Sequence, residues 1–511
     1  MLTLHTQREQ FCNKFIFRKC MIEDEIRYAV ATAMGVPPTA EQAAAMDVFA
    51  RFAADGRERV VMVLRGAAGT GKTTLAAAVV KALCTLRQKL VLMAPTGRAA
   101  KVFSLYAGHA AYTIHRRIYR QRTAGDLSAF NLNANLGSST LFVVDEASMI
   151  ANQGSTESAF GSGRLLDDLI EFVYNGAGCR LVLIGDRAQL PPVGETESPA
   201  LTTSVLRQYG LTVYESDLTE VVRQAADSGI LWNATAVRSL LSASQLVLPR
   251  LRVAGFADVR LVKGDELIES LAGSYSRVGI DETMVITRSN KRANIYNEGI
   301  RRTILGCEDQ ICRGDRLMIV KNNYYWTQQA AADSTADATP GGTPAHRGDD
   351  KFSFIANGDI AVVQRVSRVR QLYGFSFADV TMEFPDYDQQ ELAAATLLTT
   401  LTTEAPALTR EQQSQLFEAV SADYADEPGG KAGRMKRLKQ DAHYNALQVK
   451  FAYAVTCHKA QGGQWEHVYL DQGYMTDDML TPDYVHWLYT AFTRATRCLF
   501  LVNWPSTMVE D

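Results

Sequence analysis

The chain lacks the marks of secreted, fibrous and membrane proteins. Its eight cysteines show neither the spacing of a disulfide framework nor zinc spacing with partners nearby, so reduced thiols are expected. No apolar run approaches the roughly 18 residues that span a bilayer. The Ala-rich stretch after Thr74 is interrupted by Lys81 and suits a buried helix instead. No internal repeat is present. There is little charge of either sign in excess: the net charge is −3, so any nucleic-acid binding must use a local track of Lys, Arg and aromatics rather than bulk charge. The first twenty residues have no apolar core and no small-residue cleavage site, which excludes a signal peptide. Met21 opens MIEDEIRYAVATAMG, an amphipathic helix with an acidic start, and is a candidate translation start.

What is present is an ordinary globular composition, 47% hydrophobic and 21% charged, which excludes a mostly disordered or collagen-like chain. A length of 511 residues gives a soft prior of roughly three to four domains. Four almost wholly apolar runs, at 60–66, 90–95, 141–146 and 181–186, alternate with helical patterns. They read as parallel strands buried on both faces. Each ends in Gly, Pro or an acid, at the edge where α/β sheets bind ligands. A second α/β block starts near Leu218, contains 283–289 and a helix carrying Asn290, Asn294 and Asn297, and resumes at 451–462, 468–472 and 498–504. Between its parts, 322–351 reads as a long loop. Residues 354–371 and 375–384 read as alternating strands of a small barrel, and 387–447 mostly as helix and polar linker.

Four motifs carry chemistry. GAAGTGKT runs from Gly66 to Thr73, between a strand and a helix, as a P-loop requires. Its backbone, Gly66, Ala67, Ala68, Gly69, Thr70 and Gly71, can curl around phosphate oxygens. Lys72 adds charge at the outer phosphates, and the Thr73 hydroxyl can ligate Mg²⁺, with Thr74 following on the helix. VVDEAS (143–148) ends a strand in two carboxylates. Asp145 would hold Mg²⁺ through its water shell, and Glu146 would polarise the attacking water as general base. A lone acid pair is usually a solvated strand end; its place downstream of a P-loop gives it this role. IGDRAQLPPVG (184–194) places Asp186 and Gln189 after another strand, where a Gln senses the outer phosphate, and its prolines stiffen the exit. Arg223 in LTEVVRQ and Arg494 in LYTAFTRAT are candidate fingers, planar and always charged, for the transferred phosphoryl group. Upstream, the Gln42 amide can pair with the adenine edge.

With APTGRAA (94–100) and AVTCHKAQG (454–462), this series resembles superfamily 1 helicases in order and spacing, and within them the RecD, Dda and Pif group. The likeness covers about residues 39–320 and 450–511, is weak across the insertion and is absent before about residue 21. It implies an α/β fold of two RecA-like motor domains with ATP and Mg²⁺ between them, a β-hairpin insertion in the first and an SH3-like barrel in the second. The implied division is a helical extension at 1–38, a first domain at 39–217, a second at 218–321 plus 450–511, and an insertion at 322–449. It also implies 5′ to 3′ movement on single-stranded DNA, with duplex unwound by ATP hydrolysis. Gly462 would lie near nucleotide and DNA. Pro95, Thr96, His115, Thr456, His458 and Lys459 would form the DNA track.

The hairpin expected at 116–140 is the family's duplex-splitting pin, with IYRQR and AFNLN as candidate arms and Phe130 or Tyr119 as the stacking ring; a plain surface hairpin reads as well. His458 has a second reading as a buried capping residue. The expected partners are single-stranded DNA and duplex junctions, with no membrane, for a protein working as a cytoplasmic monomer. Two other functions remain open. One is the helicase subunit of an exodeoxyribonuclease-type complex, against which stands the short stretch before Gln42. The other is a nucleotide switch whose turnover ignores DNA.

Overall fold

The computed structural model describes residues 21–121, 130–154, 160–222, 227–336, 355–428 and 430–510. The chain forms two compact units. Unit 1 comprises residues up to 95, 99–118 and 132–241; unit 2 comprises 96–98, 119–131 and 242–511.

Unit 1 is built on strands β1 (Val60–Gly66), β2 (Lys89–Ala94), β3 (Ala111–Thr113), β6 (Thr140–Val144), β7 (Arg180–Gly185) and β8 (Thr212–Leu218). They pair in the order β3-β2-β6-β7-β1-β8, all parallel. Every residue of β1 and β6 is buried, as a sheet covered on both faces demands. Met62, Leu64 and Val143 meet Phe49 and Leu75 from the flanking helices in one core. Strands β4 (Tyr119–Gln121) and β5 (Phe130–Leu132) pair as a two-stranded sheet at the expected hairpin position, but residues 119–131 belong to unit 2 rather than unit 1; residues 122–129 lie outside the described residues.

Unit 2 contains a short pair, β9 (Leu251–Arg252) with β20 (Val509–Glu510), and a second all-parallel sheet. The sheet comprises β10 (Val259–Val262), β11 (Thr283–Thr287), β17 (Ala454–Thr456), β18 (Trp465–Asp471) and β19 (Ala495–Val502), ordered β10-β19-β18-β11-β17. Between its strands a closed five-stranded barrel is inserted: β12 (Arg316–Ile319), β13 (Ile360–Leu372), β14 (Phe375–Phe384), β15 (Gln390–Leu397) and β16 (Leu447–Phe451). The turn that leads into β13 is the NGD sequence at 357–359, where Asp359 accepts from the Ala356 amide at 2.7 Å and the Tyr387 hydroxyl at 2.8 Å.

Residues 387–447, expected mostly as helix and linker, also hold a strand, Gln390–Leu397, paired with β14 along its whole length. Helices do follow at Arg410–Asp423 and Gly430–Lys439. Two expectations need correction. The stretch expected as a loop begins with a helix, Tyr325–Ala336, whose start is tied down by Trp326 Nε1 on the Asn445 carbonyl at 2.9 Å. The thiols are not all reduced: Cys307 and Cys312 form a disulfide. Among the described residues, no helix is long and apolar enough to cross a membrane.

Candidate functional site

The helix Ala40–Ala53 starts on a capping box. The Thr39 hydroxyl accepts from the Gln42 amide, and the Gln42 side chain accepts from the Thr39 amide at 2.9 Å, an arrangement that contributes about 1 kcal/mol. The other end of the same side chain donates to the Thr70 carbonyl at 3.2 Å. Gln42 is thus buried and braces the P-loop from behind. A Cβ on Gly71 would lie 2.3 Å from its Nε2. Gly69 and Gly71 both have left-handed φ, 77° and 75°, so glycine meets a backbone need at each.

The loop leads from the end of β1 into the helix Lys72–Thr85. The Lys72 ammonium donates to the Gly66 carbonyl at 3.2 Å. Thr73 and Thr74 are exposed on the first turn, where a hydroxyl can reach a metal. At the end of β6, one strand further along the sheet than β7, Asp145 accepts from the Glu146 amide at 2.8 Å and from the Tyr106 hydroxyl. Loss of solvent, then the Glu146 charge, push the Asp145 carboxyl above the usual carboxylate range, while Lys72 and Tyr106 oppose the shift. Glu146 sits at φ 51°, a left-handed position uncommon outside glycine and concentrated at functional sites. After β7, the buried Asp186 accepts the Ala188 amide at 2.9 Å and fixes the turn that carries the buried Gln189.

Lys72, Asp145 and Gln189 therefore follow strands β1, β6 and β7, which are neighbours in the sheet. The exposed hydroxyl, the carboxylate pair and the amide-lined loop suit a phosphate and its divalent cation. Arg223 lies outside the described residues, but its neighbour is placed: the Val222 amide donates to the Gly69 carbonyl at 2.9 Å. Tyr106 was not anticipated. It stands on the helix Gly97–Ala107, outside every motif, and only its contact with Asp145 identifies it.

In unit 2 the motif residues group separately. Arg494 is buried. It donates to the carbonyls of Thr490 at 3.0 Å and Gly463 at 3.2 Å, and to the Thr493 hydroxyl at 3.1 Å. Gly462, at φ 74°, begins the turn that presents that Gly463 carbonyl. Thr456 ends β17 and precedes the short helix Cys457–Ala460. His458 is exposed there rather than buried. Lys459 is half-buried, and burial, then the Lys450 charge, bring its ammonium down to about 8.

Pro95 and Thr96 are half-buried just beyond β2. The His115 ring packs on Phe160 at 4.9 Å, and burial lowers it to about 4. Burial thus disfavours a charged ring here. Phe130 departs from the expectation of a ring open to a base pair. It is buried against Tyr324, centroids 4.1 Å apart, and Tyr119 is buried too. An apolar ring on so short a strand finds a protein surface to cover before it finds a base.

Residues 38–245 match the AAA domain family and residues 451–502 the UvrD-like helicase C-terminal domain. The chain is 33% identical over 171 residues to the ATP-dependent RecD2 DNA helicase of Deinococcus radiodurans, covering 34% of this chain and 21% of that protein. It is 25% identical over 276 residues to the ATP-dependent DNA helicase dda of Enterobacteria phage T4, covering 50% of this chain and 56% of that one. The chain thus spans about a fifth of the first relative's length and little more than half of the second's. A structure of the Pif1 helicase of Bacteroides with ADP-AlF3 and ssDNA aligns over 93% of this chain and 95% of that one, at 14% identity and a TM-score of 0.44.

Proposed function

We propose, taking the chain as a superfamily 1 helicase of the RecD, Dda and Pif-like group, that it is an ATP-driven DNA translocase and helicase moving 5′ to 3′ on the single strand. The observation that supports this best is the convergence on one sheet edge of the P-loop, the Asp145–Glu146 pair and the segment leading to Arg223. In this reading 39–217 and 218–321 plus 450–511 are RecA-like motor domains, the barrel insertion is SH3-like, and the protein acts in the cytoplasm as a monomer.

Each residue then has one task. The Gly66–Thr74 loop holds the phosphates through its amides, braced by Gln42, whose amide is also assigned to the adenine edge. Lys72 offsets charge on the outer phosphates. Thr73 and Asp145 hold Mg²⁺, which when bound draws charge from the phosphate oxygens. Glu146 takes a proton from the attacking water, and Gln189 orients that water. Arg223 and Arg494 stabilise the charge that develops on the transferred group. Gly462 joins the nucleotide site to the DNA track of Pro95, Thr96, His115, Thr456, His458 and Lys459. Phe130 belongs to the pin that parts duplex junctions, and it acts there through its packing on Tyr324.

Strand displacement on matched duplexes with a 5′ or a 3′ tail tests this. The wild type unwinds the 5′-tailed substrate, and Lys72→Ala unwinds neither while keeping its fold. Preference for the 3′ tail would sink the polarity, and a Lys72→Ala protein that unwinds would sink the P-loop assignment.

A further inference from the structure

Cys307 and Cys312 stand outside the phosphate site and the DNA track, and nothing in the proposed function uses them. They bracket a tight loop between the helix Asn290–Thr303 and β12, with Cα atoms 6.3 Å apart, within the range a disulfide spans. A buried ion pair fills the loop's interior. Arg301 donates through Nε to Asp315 Oδ1 at 2.9 Å and through Nη2 to Oδ2 at 2.9 Å. The same Nη2 lies 2.8 Å from Cys307 Sγ, 3.8 Å from Cys312 Sγ and 2.8 Å from the Asp309 carbonyl. Asp315 also accepts from the Cys312 amide at 2.7 Å and the Tyr453 hydroxyl at 3.0 Å. The guanidinium lies over the Phe451 ring, 4.1 Å from its centroid.

The chemistry of this cluster favours exchange over a fixed staple. With the disulfide closed, Arg301 and Asp315 balance each other. With it open, a sulfur beside the guanidinium is stabilised as thiolate, the form that attacks disulfides. The two sulfurs and the Asp315 carboxylate lie within 4.8 Å of one another and would suit a soft cation on distance alone. The guanidinium in contact with Cys307 and Asp315 opposes a second positive charge there. Access differs between the sulfurs: Cys307 is buried and Cys312 half-buried.

We propose that Cys307 and Cys312 are a reversible dithiol–disulfide centre that exchanges with small disulfides of the glutathione type. The Cys312 thiolate attacks one sulfur of the small disulfide, forming a mixed disulfide and releasing one small thiolate, which takes up a proton. The Cys307 thiolate, beside Arg301, then attacks the Cys312 sulfur and expels the second small thiolate, also protonated from water. Two protein thiols are oxidised and one small disulfide is reduced to two thiols; the reverse path opens the loop. The closed form pins the joint at which the chain leaves the helix and enters the barrel.

The test equilibrates the full chain in mixtures of reduced and oxidised glutathione, quenches with acid, alkylates, and reads each cysteine peptide by mass spectrometry. Cys307 and Cys312 should lose alkylation together as the mixture becomes oxidising, while the exposed Cys84 reports independent chemistry. Cys307→Ser should trap glutathione on Cys312 at least tenfold more than Cys312→Ser traps it on Cys307. Rapid quenching of the wild type needs no variant and should show the Cys312 adduct before the intramolecular bond. Full alkylation of both cysteines in excess oxidised glutathione, with circular dichroism unchanged, would overturn the proposal. So would one zinc per reduced chain that shields both from alkylation, since that assigns a metal site.

Discussion

The acidic pair of the first parallel sheet and the motif arginine of the second are held in opposite ways. In unit 1 the candidate metal-site groups are partly open: Thr73 is exposed, and Asp145 and Glu146 are half-buried at strand ends. In unit 2 the motif arginine is enclosed, with Arg494 donating to two backbone carbonyls and a hydroxyl. Asp471, at the end of β18, is closed off as well by Arg292 at 2.7 Å and the Tyr296 hydroxyl at 2.5 Å. An open set of donors and acceptors is built to admit a ligand. An enclosed guanidinium is built to be held in one orientation, and Arg holds it better than Lys because its fork is planar. Substitutions in unit 1 should therefore remove chemistry and leave the fold, whereas those at Arg494 should cost both.

The largest expected effect sharpens that contrast. Arg494→Ala should lower ATP turnover by roughly 10³ to 10⁵, the range for an arginine finger, and should also lower Tm. The Gly463 carbonyl loses a donor, at about 1–3 kcal/mol for a buried group left unsatisfied, while the Thr490 carbonyl keeps the Thr493 hydroxyl at 2.9 Å. Turnover and thermal melting measured on one preparation check it. A variant that melts lower but turns over normally would make Arg494 a structural residue and break the comparison.

A smaller effect is expected at Tyr106. Tyr106→Phe removes the hydroxyl that donates to Asp145, and the Asp145 carboxyl, already raised by burial and by Glu146, rises further. Its charged form, the one proposed to bind metal, is then lost at a higher pH. The Mg²⁺ concentration giving half-maximal turnover should increase roughly tenfold, as for other partners of metal-binding carboxylates, and more at pH 6 than at pH 8. Unchanged Tm with shifted metal dependence is the outcome expected of an open site.

The smallest concerns Lys459. Its ammonium is held down to about 8 by burial and then by Lys450. The cation is present below pH 8 and lost above it. Affinity for single-stranded DNA should hold from pH 6 to 7.5 and fall by roughly two- to threefold by pH 9. Lys459→Gln should flatten that decline, and fluorescence anisotropy across the pH series reads it.

Much of this was legible in residues alone, for a physical reason. Strands buried on both faces are uniform apolar runs, and β1 and β14 begin and end where their patterns do. The P-loop is legible because its chemistry is local in the chain. β15 was hidden because its Ala-rich run has no side-chain pattern of its own, and its state is decided by pairing with β14. The helix Tyr325–Ala336 was hidden because it has no apolar stripe; anchors such as Trp326 on Asn445 hold it. Tyr106 on Asp145, Phe130 on Tyr324 and the Cys307–Cys312 bond are meetings set by the fold rather than by any motif.

The central claim is that a phosphate site of unit 1 is harnessed to DNA. Steady-state ATP turnover with and without single-stranded DNA, for wild type and Lys72→Ala, tests it most directly. Turnover should rise at least tenfold with DNA in the wild type and be lost in the variant under both conditions. Turnover in the wild type that ignores DNA would contradict it and leave a nucleotide switch in its place.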